Sequence, residues 1–90
     1  MQYPFSIAWS ASAQRDLAKL PEKVATAVVE FIYGGLADNP PRVGHELTLK
    51  LAGLHSARRG DFRVLYRING DGAGVIIVNI VHRADIYRRR

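Results

Sequence analysis

The chain has 90 residues, enough for one domain and too few for two. It contains no cysteine, which excludes a disulfide framework and cysteine-bound zinc and fits a reducing compartment. Thirteen Lys and Arg stand against eight Asp and Glu, a net charge of +5. Residues 1–41 carry a net −1 and residues 42–90 a net +6, and nine of the ten bases in that second part are arginine. Arginine offers a rigid planar fork that meets phosphate in two-point fashion, so an Arg-rich half points to a polyanionic partner, nucleic acid or acidic protein. The opening MQYPFSIAW lacks the basic start and long apolar stretch of a secretion signal, and the longest apolar run, Val75–Val78, is far too short to span a membrane. The expectation is a soluble cytoplasmic domain over residues 1–90, with no membrane partner and no cofactor.

Tyr3–Trp9 alternates and reads as a strand, with Pro4 marking an edge. Ser10 or Ser12 can cap a helix over about Ala11–Leu20, where Ala13, Leu17 and Leu20 recur at helical spacing. Pro21 breaks the chain and begins a second helix, whose stripe Val24, Val28, Phe31, Ile32 carries it to about Tyr33. Gly34-Gly35 loosens its end and Asn39-Pro40-Pro41 stops it. So short a link predicts an antiparallel helical hairpin. Residues 42–53 read as irregular. Leu54–Arg58 is a short strand, Arg59-Gly60 a tight turn, and Phe62–Ile68 a strongly alternating strand. Asn69-Gly70-Asp71-Gly72 is a turn, and the nearly all β-branched Gly74–Val81 has the character of a central strand buried on both faces. The predicted fold is α+β: an N-terminal strand, a helical hairpin, then a three-stranded antiparallel meander, with both helices on one sheet face.

The simplest pairings set Arg58 opposite Asp61 and Ile68 opposite Val75. Ser56 then lies opposite Arg63, Arg63 opposite Ile80, and His82 opposite Asp61. Directly opposed residues share a sheet face, so Ser56, Arg58, Asp61, Arg63 and His82 would gather on one side, beside Arg83 and the C-terminal tail. Such a group suits metal-free RNA cleavage. The reaction needs a base for the ribose 2′-hydroxyl, positive charge for the phosphorane and an acid for the 5′-oxygen. Arginines meet the second need, and His82 the first or third, because imidazole titrates near neutrality. Tyr87 can exchange a proton among cations or stack on RNA. His45, His55 and His82 lack metal-ligand spacing, and the eight acids are dispersed. Each residue taken singly also has a plain structural role: Arg63 pairing with Asp61 or Asp85, His82 closing a strand, Arg88–Arg90 a solvated tail. Tyr66 falls on the face away from Arg63 and belongs to the core, and Trp9 to core or sheet edge.

The stretch Leu51-Ala52-Gly53-Leu54-His55-Ser56-Ala57-Arg58-Arg59-Gly60-Asp61-Phe62-Arg63-Val64-Leu65-Tyr66 resembles the signature region of RelE-type toxins. His82-Arg83-Ala84-Asp85-Ile86-Tyr87-Arg88 is similar to their C-terminal motif, and Ala13–Pro21 and Pro41–Leu47 match their first helix and their approach to the C-terminal strands. The resemblance, to the RelE/ParE superfamily, covers nearly the whole chain. It implies a toxin of a type II toxin–antitoxin system, wrapped by a cognate antitoxin through which the complex binds its own operator DNA. For RelE-like members it also implies an endoribonuclease acting on mRNA in the ribosomal A site. Carried over by position are Arg63, Arg83 and Tyr87 as catalytic residues and His82 as a proton carrier. Arg58, Arg59, Lys50, Arg67 and Arg88 become RNA-binding residues. Leu54, His55 and Ser56 stand where better-studied relatives have basic residues, which leaves the general base to His55 or Lys50. The alternatives are a ParE-like inhibitor of DNA gyrase without nuclease activity, and a member retained only as a binding partner.

Overall fold

The computed structural model describes residues 5–47, 53–69 and 74–82. Strand β1 (Ser6–Trp9) leads into helix α1 (Ala11–Lys19) and helix α2 (Glu22–Phe31). A π-helical turn (Ile32–Leu36) and the one-turn helix α3 (Pro40–Val43) precede strands β2 (His45–Glu46), β3 (Leu54–Arg59), β4 (Phe62–Ile68) and β5 (Gly74–His82). The strands form one sheet in the order β1-β5-β4-β3-β2, with β1 parallel to β5 and the other pairings antiparallel. The predicted meander is therefore the centre of a five-stranded mixed sheet. The helices contribute Ala13, Val28, Ile32 and Leu36 to a core that the sheet completes with Ala57, Phe62, Val64, Tyr66, Val75, Ile77 and Ile80. Among the described residues no helix is long and apolar enough to cross a membrane.

Local chemistry accounts for the elements. Ser10, not Ser12, caps α1: its extended backbone ends the strand while its hydroxyl accepts the Ala13 N–H at 3.0 Å. Pro21 stands one position before α2, with Glu22 in the first turn, where a carboxylate favours the helix dipole. The helical path does not end at Gly34-Gly35 but widens through them. Both glycines are exposed with nothing near enough to crowd a wider turn, and the fully buried Ile32 and Leu36 hold its two ends. Pro40 and Pro41 occupy the first positions of α3, so the segment expected to be irregular begins as a helical turn. It then supplies β2, which two residues could not announce by periodicity.

The two hairpin registers differ from the simplest pairings. Arg59 pairs with Phe62 and Arg58 with Arg63, so the tight turn is Gly60-Asp61. Its first central residue takes φ +57°, which glycine adopts without strain. Ser56 consequently lies opposite Leu65 rather than Arg63. Between β4 and β5 the expected pairing holds from Ile68↔Val75 to Tyr66↔Ile77, after which Leu65 pairs with Asn79. Val78 is therefore an extra residue on β5, a β-bulge that moves every later residue to the other face. The core-facing positions of β5 pass from Val75 and Ile77 to Ile80.

Helix α1 holds this bulge. Its cap residue Ser10 donates to the Val78 carbonyl at 2.8 Å. Asp16 accepts the Ile80 N–H at 2.9 Å and the Asn79 side-chain amide at 3.1 Å through one oxygen. Replacing Asp16 by Ala strands a backbone donor and an amide, and a stability loss of about 1–3 kcal/mol is expected in urea unfolding. Asp16→Asn, which keeps an acceptor, should lose less. Equal losses for the two would show that the hydrogen bonds to Ile80 and Asn79 do not anchor the bulge.

Candidate functional site

The sheet face turned away from the helices gathers the basic side chains. Alternation along β3 and β4 puts the buried Leu54 and Ser56 and the exposed Arg58 on this face with Arg63, Leu65 and Arg67. Arg58 lies directly opposite Arg63, Arg67 opposite Leu54, and all three arginines are exposed. On β5, Val81 lies opposite Arg63. Directly opposed like charges are unfavourable in a free sheet, and a bound anion removes the penalty. Two guanidiniums on neighbouring strands can thus address one phosphate from both sides, with Arg67 farther along the same strand.

Several expected site residues are elsewhere. His82 pairs with Phe62, a core residue, and so lies on the helix side of the sheet, opposite to Arg63. The bulge at Val78 is the reason: without it His82 would meet Asp61 as the simplest register predicts. The proposed convergence of His82 with Arg63 does not form. Arg59 also turns to the helix side, where its guanidinium rests 5.6 Å from the ring centroid of Phe31, which meets Phe62 edge-on. His55, a candidate substitute base, stacks on Tyr66 with ring centroids 5.3 Å apart, its Nδ1 buried, again on the helix side. Arg83, Tyr87, Arg88 and Lys50 lie outside the described residues. Of the expected residues, the structure brings together Arg58, Arg63 and Arg67.

The arginine face also holds a residue that sequence periodicity does not reveal. His45 on β2 lies opposite Ser56 and therefore shares the arginine face, where it is exposed. No periodic signal marks a two-residue strand, though Gly44 before it is a clue. A Cβ at Gly44 would stand 2.5 Å from the Tyr66 hydroxyl and 2.6 Å from the Ser56 carbonyl, so only glycine lets the chain come this close. The fully buried Tyr66 donates its hydroxyl to the Pro40 carbonyl at 2.6 Å, tying α3 and β2 to the sheet.

Burial raises the Tyr66 pKa above its ordinary value, with a backbone hydrogen bond from Gly44 opposing in part. The neutral phenol is therefore the form the fold favours. Its stabilisation is complete below about pH 10, the unfolded value, and is lost as pH climbs through the higher folded value. Tyr66→Phe is expected to cost about 1–3 kcal/mol at neutral pH, by leaving the Pro40 carbonyl unpartnered, and to flatten the alkaline fall in stability seen by denaturant unfolding. For the opposed arginines the expectation is reversed. Arg63→Gln should stabilise the free protein by about 0.5 kcal/mol at low salt, a gain that shrinks at high salt. A loss of stability would mean that Arg63 is held by a favourable ion pair.

Comparison with known proteins converges on one group. Residues 7–87 match the family described as "ParE toxin of type II toxin-antitoxin system, parDE". Over 86 residues the chain is 50% identical to Toxin RelG of Mycobacterium tuberculosis, covering 96% of this chain and 99% of that protein. It is also 50% identical over 86 residues to Toxin RelE of the same organism, covering 96% and 89%. Among solved structures, the toxin–antitoxin complex RelBE2 from Mycobacterium tuberculosis contains a chain that superposes with a TM-score of 0.87 at 46% identity, covering 90% of this chain and all of that one. The archaeal RelE–RelB complex from Pyrococcus horikoshii OT3 gives 0.68 at 26% identity, covering 90% and 97%.

Proposed function

Because this chain belongs to the RelE/ParE family of type II toxin–antitoxin toxins, we propose that it is an endoribonuclease that cuts mRNA on the ribosome. The observation that carries the reading is the opposed Arg58–Arg63 pair with Arg67 on one exposed sheet face, an arrangement suited to a phosphodiester backbone. Two relatives of 50% identity carry RelE-type toxin names, which favours the same branch. The reaction is attack of the ribose 2′-oxygen on the adjacent phosphorus with loss of the 5′-oxygen, and it needs no metal or cofactor. Arg63 and Arg58 offset the charge that builds on the phosphorane, and Arg67 holds the flanking backbone. Arg83 and Tyr87 stay in the proposal as a further cation and a stacking or proton-exchanging phenol, with Lys50 and Arg88 as phosphate contacts. His82 leaves it, being on the helix side, and Arg59 is assigned to packing against Phe31.

The regulator is a cognate antitoxin, by analogy with the complexes solved for relatives. An acidic or amphipathic segment would mask the arginine face or displace the C-terminal tail, and the pair would bind its operator through the antitoxin. A second reading, inhibition of DNA gyrase without cleavage, is favoured by the description of the matching family as a ParE toxin.

Expression of the chain in growing cells separates the two. The nuclease reading expects translation to stop, with new mRNA 5′ ends mapped by primer extension and plasmid supercoiling unchanged. Relaxed plasmids and DNA damage with intact mRNA would reject it. Arg63→Ala should relieve growth arrest while antitoxin binding remains measurable. It should also lower the slope of log affinity for ribosomes against log salt by about 1, the signature of one lost phosphate contact.

A further inference from the structure

We infer that His45 is the general base of the proposed cleavage, an inference that rests on the nuclease reading above. Cutting RNA by its own 2′-oxygen requires a group that takes a proton near neutral pH, and imidazole is the side chain ordinarily suited to it. The chain has three histidines. His55 faces the helices, stacked on Tyr66 with Nδ1 buried. His82 lies opposite Phe62 on that same side. Only His45 lies on the side of Arg58 and Arg63.

The register also sets the spacing. His45 lies opposite Ser56, and Arg58 is two residues farther along β3, a diagonal neighbour about 7–8 Å away. Arg63 lies one strand beyond, directly opposite Arg58. An imidazole and two guanidiniums thus form an oblique row over three adjacent strands. The arginine side chains are long enough to bring their heads to a phosphate whose ribose lies over β2. The strand that carries His45 is not free to wander. Gly44 is packed against the Tyr66 hydroxyl and the Ser56 carbonyl, and α3 just before it is tied to Tyr66 through Pro40. A base held by a clamped backbone has the preorganisation that proton transfer needs.

In the step assigned to it, an unprotonated ring nitrogen of His45 takes the proton of the 2′-hydroxyl as the 2′-oxygen bonds to phosphorus. The bond from phosphorus to the 5′-oxygen breaks, and that oxygen takes a proton from water. The products are a 2′,3′-cyclic phosphate and a 5′-hydroxyl, and the imidazolium returns its proton to solvent. Among the described residues, the charged groups on the elements next to His45 are Arg58 and, a strand beyond, Arg63 on the sheet, Arg42 on α3, and Glu46 on its own strand. Glu46 turns to the other side, where its carboxylate accepts the Gly53 N–H at 2.8 Å.

The test is single-turnover cleavage of mRNA on programmed ribosomes by the full chain and by His45→Gln and His45→Ala, with ribosome affinity and thermal melting measured alongside. The parent should show a rate that rises with pH along an acidic limb. Both variants should lose about 10²-fold or more in rate, the gain expected from a positioned base, and lose that acidic limb. Their ribosome affinity and melting should stay close to the parent's, and added imidazole should restore part of the His45→Ala rate. Variants that cleave as fast as the parent with the same acidic limb overturn the inference. So does a rate loss that follows weaker binding or melting and that imidazole does not rescue. A parent chain that cuts no ribosome-bound mRNA overturns the nuclease reading itself, a result separate from either of these.

Discussion

One extra residue in β5 decides which side chains of this protein can act together. Val78 has no partner on β4, and the residues after it face the side opposite to the one strict alternation would give them. A bulge disrupts the ladder and survives only where other groups take up the displaced backbone bonds. Helix α1 supplies them: Ser10 caps its own helix and donates to Val78, and Asp16 receives Ile80 and Asn79. The same contacts dock α1 on β5. The docking of α1 on β5, the core register of Ile80 and the removal of His82 from the arginine face thus meet at one polar junction.

The opposite face has a different logic. Arg58 and Arg63 repel one another across β3 and β4, and Arg67 adds a third positive charge on the same side. The repulsion does not serve the free fold, whose main apolar cluster lies on the helix side. A small domain has little stability to spare, so an arrangement that lowers it is informative about partners. A polyanion, whether a nucleic acid or an acidic peptide, would relieve it, because guanidiniums hold phosphate or carboxylate alike. Binding of either stabilises the fold by mass action.

The strands and helices were legible where their periods are long and marked by polar residues. Phe62–Ile68 alternates Phe, Val, Tyr and Ile against Arg, Leu and Arg, and it forms over those seven residues. Tyr66 was legible as core for the same reason. The bulge was hidden because the run from Val75 to Val81 is apolar on both phases, so nothing in the pattern shows a phase change. Asn79 was the one clue, a polar residue inside a buried strand, and its side chain serves the bulge. Gly34-Gly35 reads as a helix end in sequence because glycine usually is one, yet buried Ile32 and Leu36 on either side carry the chain through as a wider turn. Arg63 and Arg58 keep their common face despite a changed turn, because the hairpin register moved by two residues, a whole period of the strand. The β4–β5 register moved by one, and His82 changed sides.

That difference bears on how a nuclease and a binding inhibitor can share one scaffold. Fold does not separate them, and an arginine face serves either, since guanidiniums stay charged and hold phosphate or carboxylate alike. Only cleavage needs proton transfer, so the separating feature is a titratable group on the charged side of the sheet. In the described part of this chain the two histidines in long strands face the helices, and the histidine that shares the arginine face stands in the shortest strand, fixed there by a glycine and the buried phenol of Tyr66. An edge strand is also the element in which a sheet most readily accepts sequence change. A titratable group on β2 could therefore be changed without disturbing the core or the arginines.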